Sequence, residues 1–463
     1  MSTRCQSRWS VGIDGHVRET EEPSRQVGHI EAPGLVQPVG WLDPFAIDTR
    51  DLLRVAMAVF QADRLSPRIL PGSRELDRDL AWPRNIDLVV ELEDTARWQA
   101  VADQLAELLW FLTDDTWHIS FRCPSRRPPY QRSLFPEPVP DGAELALFSG
   151  GLDSMAGLWA RNRQEKRTFV AVSVSGNRIR RDVQRCSIES LQELGADVRW
   201  VVLQQHLAGG KKPENSQRTR GFLFYCVGEA VSSTLRLASV NTYESGPGAI
   251  NLPMNEAQVG AQNTRANHPG TLLRLEQLFS KTLNVAPELR MPFVFHTKGE
   301  ICRAAGEELR VLAQCAISCD EGERAKPNRY EHCGLCTSCI LRRAAIYAAI
   351  GSGDPTLYSE HRTGKHGDYD LAAFHQQALR LKDNLSRWSD LLTIDPALRH
   401  AEAYHARLGI GSQECRRKLL DLFGHQADEI LSFYDACHPI ALAKRTHTKK
   451  LHGGSRDLFS AAR

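Results

Sequence analysis

The feature that most constrains the fold is a glycine-containing hexapeptide at residues 149–154: Ser149, Gly150, Gly151, Leu152, Asp153 and Ser154. It follows an apolar run at 144–148 that predicts a short buried strand, and it opens a helical pattern over 153–164. Glycines adopt backbone conformations denied to other residues and let a backbone approach a ligand closely. The first amides of a helix, together with its dipole, favour an anion. The hexapeptide therefore predicts a phosphate site at a strand-to-helix turn.

The side chains of the hexapeptide refine this prediction. Ser149 and Ser154 add hydroxyl donors, and Asp153 either caps the helix or holds a Mg²⁺ ion beside the phosphates. The loop contains no lysine and does not fit the Walker pattern. Cleavage of ATP between its α- and β-phosphates is thus favoured over transfer of the γ-phosphate. The alternative is an ordinary strand-to-helix turn with a serine or aspartate cap.

Strands and helices alternate after the hexapeptide. Further strands are predicted at 168–174, 198–203 and 238–243, with helices at 181–194 and 222–237. Such alternation is typical of an α/β fold with a doubly wound parallel sheet, in which ligands bind over the carboxyl ends of the strands. Ser173, near the end of the second strand, is therefore a candidate contact for adenosine, although an ordinary loop is an equal alternative.

Basic residues farther along supply candidate phosphate ligands. Arg218 and Arg220 precede a predicted helix, where arginines can clamp phosphates. A solvated basic loop is the alternative interpretation of these two residues. Lys298 is a further candidate, to hold the departing pyrophosphate. We therefore assign catalytic roles to Ser149, Asp153, Ser154, Arg218 and Lys298, and cofactor binding to the hexapeptide, Ser173 and the two arginines.

Four of the twelve cysteines form a spaced cluster: Cys319, Cys333, Cys336 and Cys339. Thiolates separated by two intervening residues can bind one ion from a tight turn, and four of them complete a tetrahedral zinc shell. Such a closed shell is structural, because it leaves no open position for water. An iron–sulfur cluster is a competing interpretation of the same ligands.

Composition changes along the chain suggest five segments. We expect an irregular segment at 1–40, a small α+β module at 41–123, a proline-rich linker at 124–140, the α/β domain at 141–354 and a helical extension at 355–463. The module contains predicted strands at 86–92 and 116–121 and a predicted helix at 95–111.

Charge and hydropathy exclude some classes of protein. The formal net charge is only +2, so the electrostatic field of the whole chain does not indicate a nucleic-acid partner. Whether the protein binds nucleic acid therefore stays undecided. No apolar run approaches the roughly 20 residues that a membrane helix needs. These features predict a cytoplasmic protein that does not bind membranes.

The motifs together resemble the QueC family of PP-loop ATP pyrophosphatases (7-cyano-7-deazaguanine synthases). The resemblance covers about 143–350 and rests on the hexapeptide, the stretches at 216–224 and 296–300, and the cysteine cluster followed by 340–343. It implies an enzyme that uses ATP, Mg²⁺ and Zn²⁺ to adenylate the carboxylate of 7-carboxy-7-deazaguanine. Ammonia then attacks to give an amide and finally a nitrile.

The chain exceeds such a synthase by about 140 residues before the resembling region and about 110 after it. This enlargement resembles QueC-like proteins of bacterial anti-phage defence, notably the QatC component of the Qat system. That resemblance implies a protein partner whose amine replaces ammonia. Two rival hypotheses are a tRNA-modifying PP-loop enzyme and a nucleotide-binding protein without catalytic activity.

Overall fold

The computed structural model describes the residues in the ranges 6–20, 25–31, 45–67, 83–125, 139–176, 178–204, 206–208, 217–254, 264–320, 331–358 and 365–451. This part of the chain forms two β-sheets that are joined and covered by helices. None of the helices found in these ranges has the length and apolar character needed to cross a lipid bilayer.

The described strands are, in chain order, β1 (Gln6–Val11), β2 (His16–Glu19), β3 (Arg25–Glu31), β4 (Asn85–Glu91), β5 (Thr116–Arg122), β6 (Glu144–Leu147), β7 (Phe169–Ser175), β8 (Val198–Gln204), β9 (His206–Ala208), β10 (Ser239–Thr242) and β11 (Glu288–Arg290). The described helices are α1 (Ile47–Leu65), α2 (Thr95–Gln99), α3 (Ala102–Thr113), α4 (Leu152–Gln164), α5 (Arg178–Glu193), α6 (Arg220–Leu235), α7 (Gly246–Ile250), α8 (Pro269–Thr282), α9 (Lys298–Ala305), α10 (Leu309–Cys315), α11 (Thr337–Ile350), α12 (Lys365–Asn384), α13 (Trp388–Ile394), α14 (Leu398–Glu402) and α15 (Ser412–Leu451).

One sheet is parallel throughout and has the strand order β11-β10-β6-β7-β8. The chain moves outward from β6 through β7 to β8, then returns to the other side of β6 to form β10 and β11. The strand order therefore reverses between β6 and β10. In open α/β sheets such a reversal creates the crevice in which ligands bind.

Both faces of this sheet are buried. Leu145 and Leu147 pack in one core with Phe222 of α6, whereas Ala146 packs in a second core with Met155 of α4. Because successive side chains of a strand point to opposite faces, helices must cover both sides. The predicted doubly wound parallel arrangement is confirmed, and each strand and helix predicted within 144–243 lies within three residues of its observed bounds.

The prediction of an irregular segment at 1–40 is wrong for its described residues. They form β1, β2 and β3 of a six-stranded sheet with the order β5-β4-β1-β2-β3-β9. β1 is parallel to β4, and Trp9, Val11 and Val17 are buried. The segment is short and rich in polar residues, so its sequence shows no clear strand pattern. Its strands form because distant strands, such as β4, provide their hydrogen-bond partners.

The α+β module contains the expected elements, but it is not an isolated unit. Strand β9, from within the predicted 141–354 domain, pairs antiparallel with β3. One continuous core also contains side chains from both sheets. The predicted helix at 95–111 is two helices, α2 and α3, separated at Ala100 and Val101. Residues 126–138, most of the predicted linker, lie outside the described ranges.

The C-terminal region is helical, as predicted. Helices α12 to α15 form a third core, in which Leu422, Phe423 and Ile430 of α15 pack with Ile250 of α7 and Ile340 of α11. The extension is therefore packed directly against elements of the parallel-sheet domain.

A buried charge network joins the module to the parallel-sheet domain. The guanidinium of Arg84 contacts the carboxylates of Asp63 at 2.5 Å and Asp115 at 2.6 Å, and all three side chains are inaccessible to solvent. Asp63 also accepts hydrogen bonds from the amide and hydroxyl of Thr219, which directly precedes α6. This network therefore fixes the start of α6 against α1.

Removing the arginine from this network should strongly destabilise the protein. We expect Arg84→Met to lower the free energy of unfolding by about 3–5 kcal/mol, because two buried carboxylates lose their counter-charge. Urea denaturation followed by circular dichroism measures the change. The control is Arg8→Met, which removes an exposed ion pair to Asp87 and should cost no more than about 0.5 kcal/mol. Equal effects of the two substitutions would contradict the role given to the network.

Candidate active site and metal centre

The hexapeptide lies at the carboxyl end of β6, the central strand of the parallel sheet. Gly150 has a φ of +80°, a left-handed conformation that favours glycine. Its carbonyl accepts a hydrogen bond from the amide of Ile317 at 3.0 Å. A Cβ atom at Gly150 would lie 3.3 Å from Gln184 Cγ. The turn is therefore held closely on one side by the residues that precede the cysteine cluster and on the other by α5.

The hydroxyl groups of the hexapeptide hold the turn in shape. Ser149 Oγ accepts from the Gly151 amide at 3.2 Å, and Ser154 Oγ donates to the Gly151 carbonyl at 2.9 Å. The two Oγ atoms lie 3.4 Å apart. Both serines therefore face the same turn, as their predicted role in one phosphate site requires.

The start of α4 offers donors to an anion. The Leu152 amide donates to Ser318 Oγ at 3.3 Å. For the next two amides, those of Asp153 and Ser154, no acceptor is found among the described residues. Amides in the first turn of a helix attract negative charge. The geometry thus agrees with the predicted phosphate site.

A buried ion pair connects the hexapeptide with α9. Lys298 Nζ lies 2.5 Å from Asp153 Oδ1, and the two side chains are only 20% and 8% exposed. Burial by itself disfavours both charges, but each charge stabilises the other. The pKa of Asp153 is consequently lowered and that of Lys298 raised. Two predicted site residues 145 positions apart in sequence are thereby brought into contact.

Glu244 is a site residue that the motif analysis did not single out. It follows β10, directly across the strand-order reversal from Asp153. Burial and the neighbouring Asp153 carboxylate raise the pKa of Glu244 well above its ordinary value. Asn267 Nδ2 donates to Glu244 Oε2 at 3.3 Å, and Tyr225 in turn donates to Asn267. In the sequence Glu244 lies just after a predicted strand, and no role was assigned to it.

Ser173 does not occupy the predicted adenosine site. Its side chain is fully buried within β7, where Oγ donates to the Phe148 carbonyl at 2.7 Å and accepts from Trp200 Nε1 at 3.0 Å. The hydroxyl joins neighbouring strands, and this corrects the expectation. A sequence pattern gives the position of a residue along a strand. It does not show whether the side chain lies on a face of the sheet that a helix covers.

Arg218 differs from its predicted role, whereas the role of Arg220 stays a prediction. Arg218 is buried, and its Nη1 contacts Asp114 Oδ2 at 3.0 Å and the Thr113 carbonyl at 3.1 Å. The guanidinium of Arg220 lies over the ring of Phe224. The predicted phosphate clamp is therefore corrected for Arg218, because Asp114 at the end of α3 already binds this guanidinium.

The four clustered cysteines form a candidate metal centre. Their Sγ atoms all lie within 4.8 Å of one another, and those of Cys333 and Cys339 are 3.9 Å apart. A tetrahedral zinc site with Zn–S bonds of about 2.3 Å requires S···S distances of about 3.8 Å. The amides of Cys333 and Cys336 donate to Sγ atoms of the cluster, which stabilises thiolates. The residues present therefore fit a tetracysteine zinc site.

The candidate metal centre is connected to the hexapeptide by two consecutive residues. Ile317 binds the Gly150 carbonyl and Ser318 accepts from the Leu152 amide, and the next residue is Cys319. Arg342, on α11, the helix that also contains Cys339, is fully buried and donates to Ser318 Oγ at 3.3 Å. A metal at the cysteines would therefore fix the segment that supports the phosphate turn.

Residues 254–350 match the family model described as "Queuosine biosynthesis protein QueC". The matched region contains Lys298 and the four cysteines, whereas the hexapeptide precedes it. No curated protein sequence matches this chain. The comparison supports a QueC-like region within a larger α/β chain, and the crevice is formed between that region and the hexapeptide.

The purified protein should contain one zinc ion per chain, and Cys336→Ser should abolish its binding, because three thiolates do not complete the closed shell. Metal content measured by inductively coupled plasma mass spectrometry tests this. Cys123→Ser is the matched control, since this exposed cysteine lies outside the cluster, and it should retain the metal. Iron with visible absorption in place of zinc would support the competing iron–sulfur interpretation.

Proposed function

We propose that this protein is a PP-loop-type ATP pyrophosphatase that adenylates the carboxylate of a 7-carboxy-7-deazaguanine-type molecule and then forms an amide. The observation that carries the proposal is the contact of Asp153, in the hexapeptide, with Lys298, in the QueC-matching region, at the strand-order reversal. The hexapeptide favours a polyphosphate, and the family match favours a deazaguanine substrate.

The phosphate chemistry follows from charge. The turn offers the amides of α4 and the hydroxyls of Ser149 and Ser154 to ATP. Lys298, now paired with Asp153, has the charge and position to stabilise the negative charge that develops on the departing pyrophosphate. Asp153 is a carboxylate of the kind that binds hard cations, so it fits Mg²⁺. When bound, Mg²⁺ would supply charge neutralisation at the phosphates.

The reaction has two steps. An oxygen of the substrate carboxylate attacks the α-phosphorus, the bond from this phosphorus to the bridging oxygen of the β-phosphate breaks, and pyrophosphate leaves. An amine then attacks the acyl carbon, the bond to AMP breaks, and the nitrogen loses a proton. Adenylation is needed because a free carboxylate is a poor acyl donor.

The amine is ammonia or a group on a protein partner. The second possibility, and a role in anti-phage defence, rest on the resemblance to enlarged QueC-like proteins. The six-stranded sheet and the C-terminal helices lie largely outside the matched region and supply surfaces on which such a partner would dock.

Activity is tested by incubating the protein with ATP, Mg²⁺, 7-carboxy-7-deazaguanine and an ammonium salt, which supplies the amine for the second step, and measuring AMP and pyrophosphate. We expect both products in equal amounts. Asp153→Asn and Lys298→Met should each reduce the rate by about 10²–10³, because each removes a preorganised charge. The matched controls are Asp182→Asn on α5 and Lys281→Met on α8, which should retain the wild-type rate.

Formation of ADP and inorganic phosphate, or unchanged rates in the Asp153 and Lys298 variants, would refute the proposal. Pyrophosphate release that requires tRNA instead of the deazaguanine would favour a tRNA-modifying enzyme. Nucleotide binding without turnover under any of these conditions would favour a non-catalytic protein.

A further inference from the structure

The position of Lys298 depends on the start of a short helix. Lys298 is the first residue of α9, and the preceding Thr297 caps it. Thr297 and Glu300 form a reciprocal capping box, in which Thr297 Oγ1 accepts from the Glu300 amide and Glu300 accepts from the Thr297 amide. A capping box defines where a helix begins. It does not by itself fix that helix relative to Asp153.

A carboxylate from the C-terminal extension binds both neighbours of Lys298. Glu429, on α15, accepts from Thr297 Oγ1 at 2.5 Å and from the Gly299 amide at 3.3 Å. It also accepts from Arg303 Nη2, on the next turn of α9, at 3.2 Å. Lys298 thus lies between two residues that are held by one carboxylate.

The close approach of Glu429 requires the glycine that follows the lysine. A Cβ atom at residue 299 would lie 2.3 Å from Glu429 Oε1 and 2.6 Å from its Cδ, so any other residue there would displace the carboxylate from this position. A negative charge at the first turn is also favoured by the helix dipole. Burial nevertheless raises the pKa of Glu429, so the contact depends mainly on shape and on its hydrogen bonds.

The helix that carries Glu429 is itself firmly placed. Leu422, Phe423 and Ile430 of α15 are buried in the third core. Leu422 also lies so close to Gly246 that a Cβ atom there would be 2.7 Å from Leu422 Cδ2. Gly246 begins α7, just after Glu244 and Ser245. The same helix therefore contacts elements on the β10 side of the crevice and the helix that supplies Lys298.

We propose that Glu429 is a positioning residue, which holds the start of α9 so that the Lys298 ammonium lies at Asp153 in the crevice. Through Glu429 the C-terminal extension thus contributes to the geometry of the candidate active site. The inference rests on the proposed function for the role of Lys298, but the placement of the lysine can be measured without activity.

The placement is tested by reductive methylation with formaldehyde and borohydride, with modification of Lys298 quantified by mass spectrometry. We expect Glu429→Ala to increase the labelling rate of Lys298 by about threefold or more, since the helix start is freed. Glu429→Gln, which keeps a carbonyl acceptor, should show a smaller increase. Asp428→Ala is the matched control: it removes the neighbouring ion pair to Lys382 and should leave the rate unchanged.

Kinetics then separate positioning from general destabilisation. Pyrophosphate release by Glu429→Ala should fall by about tenfold to a hundredfold through kcat, as expected for a misplaced group. In a Lys298→Met background the same substitution should have little further effect, because two changes that act through one group are not additive.

Wild-type labelling of Lys298 in Glu429→Ala, or additive losses in the double variant, would overturn the inference. Should the wild-type protein release no pyrophosphate, the proposed function fails, while the labelling experiment still decides whether Glu429 places the lysine.

Discussion

The parallel pairing of β6 with β10 determines where every part of the candidate site lies. These strands are neighbours in the sheet although about 90 residues separate them in sequence, because the chain leaves β6 on one side and returns on the other. Their carboxyl ends therefore bring Asp153 to within reach of Glu244 and Ser245. In this crevice the ammonium of Lys298 contacts the carboxylate of Asp153, and the pKa of the neighbouring Glu244 is raised by burial and by Asp153.

Two parts of the molecule stabilise this crevice from outside the sheet. The segment that ends at Cys319 binds the backbone of the phosphate turn, so a metal at the cysteines would restrict the turn's motion. Glu429 binds the residues on either side of Lys298. One support comes from within the QueC-matching region and the other from the C-terminal helices. The arrangement of the candidate site thus depends on segments beyond the parallel sheet.

The sequence predicted local features well where a single segment carries the information. The strand, glycine turn and helix at 144–164 need only short-range patterns, and so does the spacing of the four cysteines. The sequence failed where a side chain has to choose among distant partners. Arg218 resembles a phosphate ligand in isolation, but Asp114 binds it in the folded protein. Ser173 is near the end of a strand, yet its hydroxyl is enclosed within the sheet.

By itself the sequence determined the parallel α/β fold, the glycine turn after β6 and the cysteine cluster, because backbone conformation and ligand spacing are properties of short segments. Only the tertiary structure decided that Lys298 pairs with Asp153, that Glu244 joins them, and that Glu429 holds the start of α9. The first two contacts link Asp153 to residues 91 and 145 positions away, and the third brings in a helix from the far end of the chain. Contacts over such separations follow from the order of the strands and the packing of the cores, neither of which a local pattern contains.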